Sequence, residues 1–83
     1  MHTLELDRYA IEFLQSLPHE ISRRIWSKLL STKEHPRRFF EKLAGRKDYK
    51  LRIGDYRAIA DLDDSLRVIR VTLIGHRKNV YSK

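Results

Sequence analysis

Residues 49–74 hold three strand-like runs separated by two tight turn signals, and that pattern commits the C-terminal part of the chain to an antiparallel meander. Tyr49, Leu51 and Ile53 alternate with Lys50 and Arg52, the period of two expected for a strand with one buried and one wet face. Gly54-Asp55 reads as a turn, and the chain returns from Tyr56 to Leu62. Asp63-Asp64-Ser65 is the next turn signal. Leu66 to Ile74 is a long β-branched run, apolar on both faces, which places it centrally in the sheet. Gly75 is expected to end it.

The N-terminal half follows a different period. His2 to Leu6 alternates weakly and predicts a short first strand, with Asp7 as the N-cap of a helix. Ala10, Phe13, Leu14 and Leu17 then fall at helical spacing on one apolar stripe. Pro18 stops that helix and suits the first turn of the next. Glu20 favours the positive end of that second helix. Ile21, Ile25 and Leu29, joined by Trp26, make its stripe, and His35-Pro36 ends it. So short a connection makes the two helices an αα-hairpin. Phe39, Phe40 and Leu43 form an apolar patch in a linking segment, expected to lie over one end of the core. Gly45 opens a turn.

An 83-residue chain has room for one small core. The predicted fold is a single α+β domain over residues 1–83, in the order β-α-α-β-β-β with a short helical tail. The two-helix hairpin packs on one face of a small, mainly antiparallel sheet. The other face stays partly open, and Lys50 and Arg52 point to it if Tyr49, Leu51 and Ile53 face the helices.

Cysteine is absent from the sequence, which removes disulfides and thiolate metal sites. The first residues lack an apolar targeting segment, and no run approaches a membrane span. A soluble, cytoplasmic protein is expected. Its formal net charge is +7. Five basic residues and no acidic one follow Asp64, whereas residues 1–64 hold 13 basic against 11 acidic side chains. Such a basic tail points to a polyanion or an acidic protein as partner.

Lys50, Arg52, Arg57, Arg77 and Tyr81 are the candidate functional set. Lys50 and Arg52 share one strand face, and Arg57 follows across the tight turn. Arg77 opens the tail, and Tyr81 lies one helical turn beyond it. Several cations and a phenol in one groove suit cleavage of RNA. The ribose 2′-OH can attack its own phosphate if a base takes its proton, donors stabilise the phosphorane, and an acid protonates the leaving 5′-oxygen. Arginine forks fit phosphate oxygens, and nearby cations make a lysine or tyrosine proton easier to remove. The Tyr81 ring could also stack on a base. This chemistry needs no metal or cofactor, and His2, His19, His35 and His76 show no ligand spacing. Outside the set, Trp26, Phe39 and Phe40 read as core or partner groove. Arg23-Arg24 and Arg37-Arg38 read as solvated, and His76 as an exposed or backbone-bonded side chain rather than a catalytic one.

Over essentially its whole length the chain resembles the RelE/ParE toxins of type II toxin–antitoxin pairs. The resemblance is carried by Leu17-Pro18, Lys42-Leu43 before Gly45, Tyr49-Lys50-Leu51-Arg52, Gly54-Asp55-Tyr56-Arg57, and Gly75-His76-Arg77 through Val80-Tyr81. It implies the β-α-α-β-β-β fold, an antitoxin partner in a heterodimer or heterotetramer and, in the RelE branch, cleavage of mRNA in the ribosomal A site. By position it makes Lys50 a catalytic lysine and puts Arg52 where RelE has a second one. Arg57 and Arg77 become phosphate-holding arginines, and Tyr81 the tyrosine that stacks or assists proton transfer. Two positions depart from the best-studied member: the Arg77–Tyr81 spacing is shorter, and Ala44 stands where it has an arginine. The basic-plus-tyrosine set favours the RelE branch over the ParE branch, whose members poison DNA gyrase. The other alternative is a basic RNA- or ribosome-binding module without turnover. In each case an acidic, partly disordered antitoxin is expected to lay an amphipathic helix into an apolar groove near the helices.

Overall fold

A computed structural model describes residues 1–76. The elements run β1 (Thr3–Leu6), α1 (Arg8–Ser16), α2 (His19–Ser31), α3 (Pro36–Phe39), β2 (Glu41–Lys42), β3 (Tyr49–Ile53), β4 (Tyr56–Asp63) and β5 (Val68–His76). The strands form one open sheet in the order β1-β5-β4-β3-β2. Strand β1 lies parallel to β5, and all other pairs are antiparallel. The expected α+β architecture is present, with two additions: the four-residue helix α3 and the two-residue edge strand β2. Both were hidden in the linking segment because elements that short carry no readable period. The predicted helical tail lies outside the described residues. Among those described, no helix is long and apolar enough to cross a membrane.

Local chemistry sets the helix ends. Asp7 caps α1 through its carbonyl, which accepts from Ile11 N–H at 3.1 Å. Leu17 is extended (φ −92°, ψ 156°), as a residue before proline tends to be, and α1 stops there. Pro18 then caps α2, its carbonyl accepting from Ile21 N–H at 3.0 Å and Ser22 N–H at 3.1 Å. At the far end Thr32 is fully buried, and its hydroxyl donates to Leu29 O at 2.7 Å, so its polar atom is satisfied without water.

The two predicted stripes meet the sheet. Ala10, Ile25 and Leu29 pack with Leu51, Ala58, Ala60, Ile69 and Val71 in one core. Phe13, Leu14, Leu17 and Ile21 sit at its edge. Of the linking aromatics only Phe40 enters the core; Phe39 stays 38% exposed, with the Lys28 ammonium 5.0 Å from its ring centre. The patch is therefore one buried anchor rather than a cover over the core.

Turn geometry fixes the strand boundaries. Gly54 has φ +59° at the first position of a two-residue turn closed by the Ile53–Tyr56 pair, the pattern of a type II′ hairpin. The next turn is longer than its sequence signal. Asp63 Oδ1 accepts from Leu66 N–H at 2.9 Å, and Arg67 takes the left-handed conformation at φ 54°. That conformation presents Arg67 O to Thr3 N–H at 2.7 Å, where the β1–β5 pairing begins. As a result β5 starts at Val68 rather than Leu66, which is 73% exposed. Gly75 does not end the strand; it pairs with Arg57, and β5 continues to His76.

A register shift between Ile59 and Ala60 lets β5 run apolar without interruption. Ile59 pairs with Leu73 and Ala60 with Val71, so Thr72 is the extra residue, its hydroxyl donating to Ile59 O at 3.3 Å. The side-chain phase flips there. Ile69, Val71 and Ile74 all face the helices, while Leu73 joins the outer face. Strand β5 is paired on both sides, as its two-sided apolar run requires.

Candidate anion-binding face

Register decides which side chains can cooperate. Residues paired across a sheet share a face, as do residues two apart on one strand. Leu51 and Ile53 are buried against the helices, so Lys50 and Arg52 lie on the outer face. Arg57 pairs directly with Arg52 and therefore lies on that face too. Three of the five predicted site residues, Lys50, Arg52 and Arg57, thus share one end of the outer face. Arg77 and Tyr81 lie outside the described residues.

The Arg52–Arg57 pair sets like charges opposite each other beside the hairpin turn, an arrangement that costs about 0.2–1 kcal/mol relative to a neutral pair. Strand β2 adds a group the sequence reading missed: Glu41 pairs with Lys50, placing a carboxylate beside the lysine on the outer face. A two-residue strand gives no sequence signal, so only the fold reveals this neighbour. Arg46, two residues past Ala44, is engaged elsewhere, its Nη2 donating to Asp48 Oδ2 at 2.6 Å.

Of the basic residues after Asp64, the two among the described residues lie apart. Arg67 lies in the β4–β5 turn, and Arg70 sits in register between Asp61 on β4 and Glu5 on β1. Arg70 Nη2 donates to Glu5 Oε1 at 3.3 Å. The outer face is cationic at the Arg52–Arg57 end and acidic around Glu5, Asp61 and Asp63. His76 pairs with Tyr56 and meets its ring edge-on at 5.6 Å, on the side of the sheet that carries α1 rather than with the cations.

Arg37 is not a solvated charge. Its Nε and Nη2 both donate to Asp64 Oδ2, at 3.0 and 2.7 Å, and its Nη1 donates to Tyr49 Oη at 2.7 Å. The guanidinium also lies 5.1 Å from the Tyr49 ring centre. His2 Nε2 stands 3.5 Å from Asp64 Oδ1, an ion pair only when the ring is protonated. One arginine thus ties α3, β3 and the β4–β5 turn together. Its hydrogen bonds hold the Asp64 carboxyl below the usual carboxylate range, while the Tyr49 hydroxyl and then Asp64 raise Arg37 itself.

On the helical side Leu14, Leu17 and Trp26 line a concavity of about 430 Å³, with His19 and Arg23 at its rim. Trp26 is 41% exposed, so this part of the second stripe belongs to an open groove rather than to the core.

Helices on one face of an open sheet and cations at one end of the other define a two-layer α+β protein that presents a charged hairpin. Residues 4–81 match the family model described as the ParE toxin of the type II toxin–antitoxin system parDE. The chain belongs to that toxin family. Its fold superposes on the RelBE2 toxin–antitoxin complex from Mycobacterium tuberculosis with a TM-score of 0.84 at 22% identity, covering 92% of this chain and 98% of that one. The isolated RelE toxin of E. coli matches at 27% identity and a TM-score of 0.78, over 99% of this chain and 93% of that one. The RelE–RelB complex of Pyrococcus horikoshii matches at 26% identity and 0.77, over 92% and 94%. No curated protein sequence matches the chain.

Proposed function

We propose that this toxin is a ribosome-dependent mRNA endonuclease of RelE type, cutting in the A site, and that a RelB-like antitoxin restrains it in the cytoplasm. The observation that carries the reading is the Arg52–Arg57 pair with Lys50 on the same face. Cations gathered on one face of a small sheet suit the several oxygens of a phosphate, which arginine forks bind in pairs. The solved relatives in complex with RelB support the antitoxin, and the open groove along Leu14, Leu17 and Trp26 offers a surface for its amphipathic helix.

In this reading the 2′-OH of the bound nucleotide attacks the adjacent phosphorus and the bond to the 5′-oxygen breaks. The products are a 2′,3′-cyclic phosphate and a 5′-OH end. Arg57 and Arg77 hold the non-bridging oxygens as charge develops on them, and Arg52 supports the same charge. Lys50 acts in proton transfer, with Glu41 beside it as a second group able to hold the proton. Tyr81 orients or stacks the nucleotide. No step requires a cofactor. Mapping message ends after translation in a cell-free extract tests this. Cuts at ribosome-positioned codons that vanish in R57A support it; intact message at every codon rejects it and leaves at most a binding module without turnover.

The family model that matches is named for ParE, and the ParE branch of the resemblance implies a second reading, inhibition of DNA gyrase without nuclease activity. Expression then triggers DNA-damage signalling while protein synthesis continues. The nuclease reading requires the reverse order of events.

A further inference from the structure

The outer face changes sign along its length. Arg52 and Arg57 face each other at the hairpin end; four residues further along β4, Asp61 pairs with Arg70, which pairs in turn with Glu5. At about 3.3 Å per residue these two rows lie about 13 Å apart, more than one Debye length at physiological salt, which is about 8 Å. Each row therefore acts on a polyanion largely by itself. Arg70 is 55% exposed, and Glu5 holds it by a single 3.3 Å contact. An exposed pair of this kind contributes little to stability, so its main effect is on what the surface attracts. Shape does not close this end. Glu5, Asp61, Asp63 and Arg70 rim a concavity of about 350 Å³ with Leu66 and Val68 in its lining. A strand of RNA leaving the hairpin end finds room there but meets two carboxylates for one arginine in the first row.

We propose that Glu5 and Asp61 form an electrostatic boundary on the RNA-binding face, holding Arg70 away from phosphate and confining a bound single strand to the Arg52–Arg57 end. The inference rests on the RNA reading above. Such a boundary limits the footprint to the nucleotides at the cleavage position and disfavours lengthwise binding of free RNA. Asp63 is not needed for the test and is best left intact, because it caps the β4–β5 turn.

The experiment measures affinity of the full chain for a labelled oligouridylate across a range of salt concentrations. In E5Q/D61N, Arg70 becomes available to phosphate. The slope of log K against log salt steepens by about 0.7, the increment for one further contact on a single strand. The same increment tightens binding about fivefold at about 0.1 M salt and about twofold at about 0.4 M. E5Q/D61N/R70Q loses the increment, which separates a new arginine contact from simple removal of negative charge. An unchanged slope in E5Q/D61N, with binding still abolished by R52A/R57A, overturns the boundary and leaves the RNA reading standing. Oligouridylate binding that ignores R52A/R57A overturns both.

Discussion

The two faces of the β3–β4 hairpin obey opposite rules. On the inner face Leu51, Ile53, Ala58 and Ala60 are buried, and each added or removed methylene changes the packing. On the outer face the same strands carry Lys50, Arg52 and Arg57, with two arginines directly opposed. The inner face packs apolar groups, and the outer face presents charge at its hairpin end. Local choices that do not serve packing cluster at functional sites. The contrast with Arg70 sharpens this: the same residue type on the same face is paired with a carboxylate at one end and set against another arginine at the other.

Substitutions on adjacent residues of β3 break the comparison most directly. Leu51→Ala should cost about 2–5 kcal/mol of unfolding free energy in denaturant titrations, because a fully packed leucine leaves a cavity. Were Arg52→Ala to cost as much, the division between the faces would be wrong. Next in size, Arg57→Ala should remove about 2–4 kcal/mol of transition-state stabilisation from message cleavage, measured as the rate of cut-end formation on programmed ribosomes. A smaller effect of opposite sign is expected for Arg52→Thr. Relief of the like-charge pair should raise stability by about 0.2–1 kcal/mol while activity falls. A variant both inactive and destabilised would remove the case for an unfavourable pair kept for ligand binding.

The smallest expected effect concerns pH. Asp64 titrates below its unfolded value because Arg37 donates to its ionised form. The stabilisation from that pair is therefore complete above the ordinary carboxylate range and is lost as pH falls through the lowered folded-state value. Acid unfolding of wild type and R37M should converge at low pH and separate toward neutrality. Curves that run parallel throughout would mean Arg37 contributes through packing on Tyr49 alone.

Much of this was legible in the sequence because it depends on period and on local backbone chemistry. The alternation in Tyr49–Ile53 assigned Lys50 and Arg52 to the wet face, and Gly54 fixed the hairpin that sets Arg57 beside them. Leu17-Pro18 separated two amphipathic helices whose stripes reach the core. Several departures turn on a contact made outside the local segment. Strand β2 forms only because Glu41 and Lys42 find β3, and β5 starts late because Arg67 serves the pairing with β1. Arg37 looked solvated because Asp64 is 27 residues away in sequence.

Sequence by itself determined the longer elements and the inward or outward sense of each side chain near the β3–β4 turn, since both follow from the geometry of neighbouring residues. Only the tertiary structure decided which charges meet. Coulomb interactions act through space, so Arg70, one of a basic run in the sequence, lies among carboxylates, while the positive end of the face was assembled from Lys50, Arg52 and Arg57.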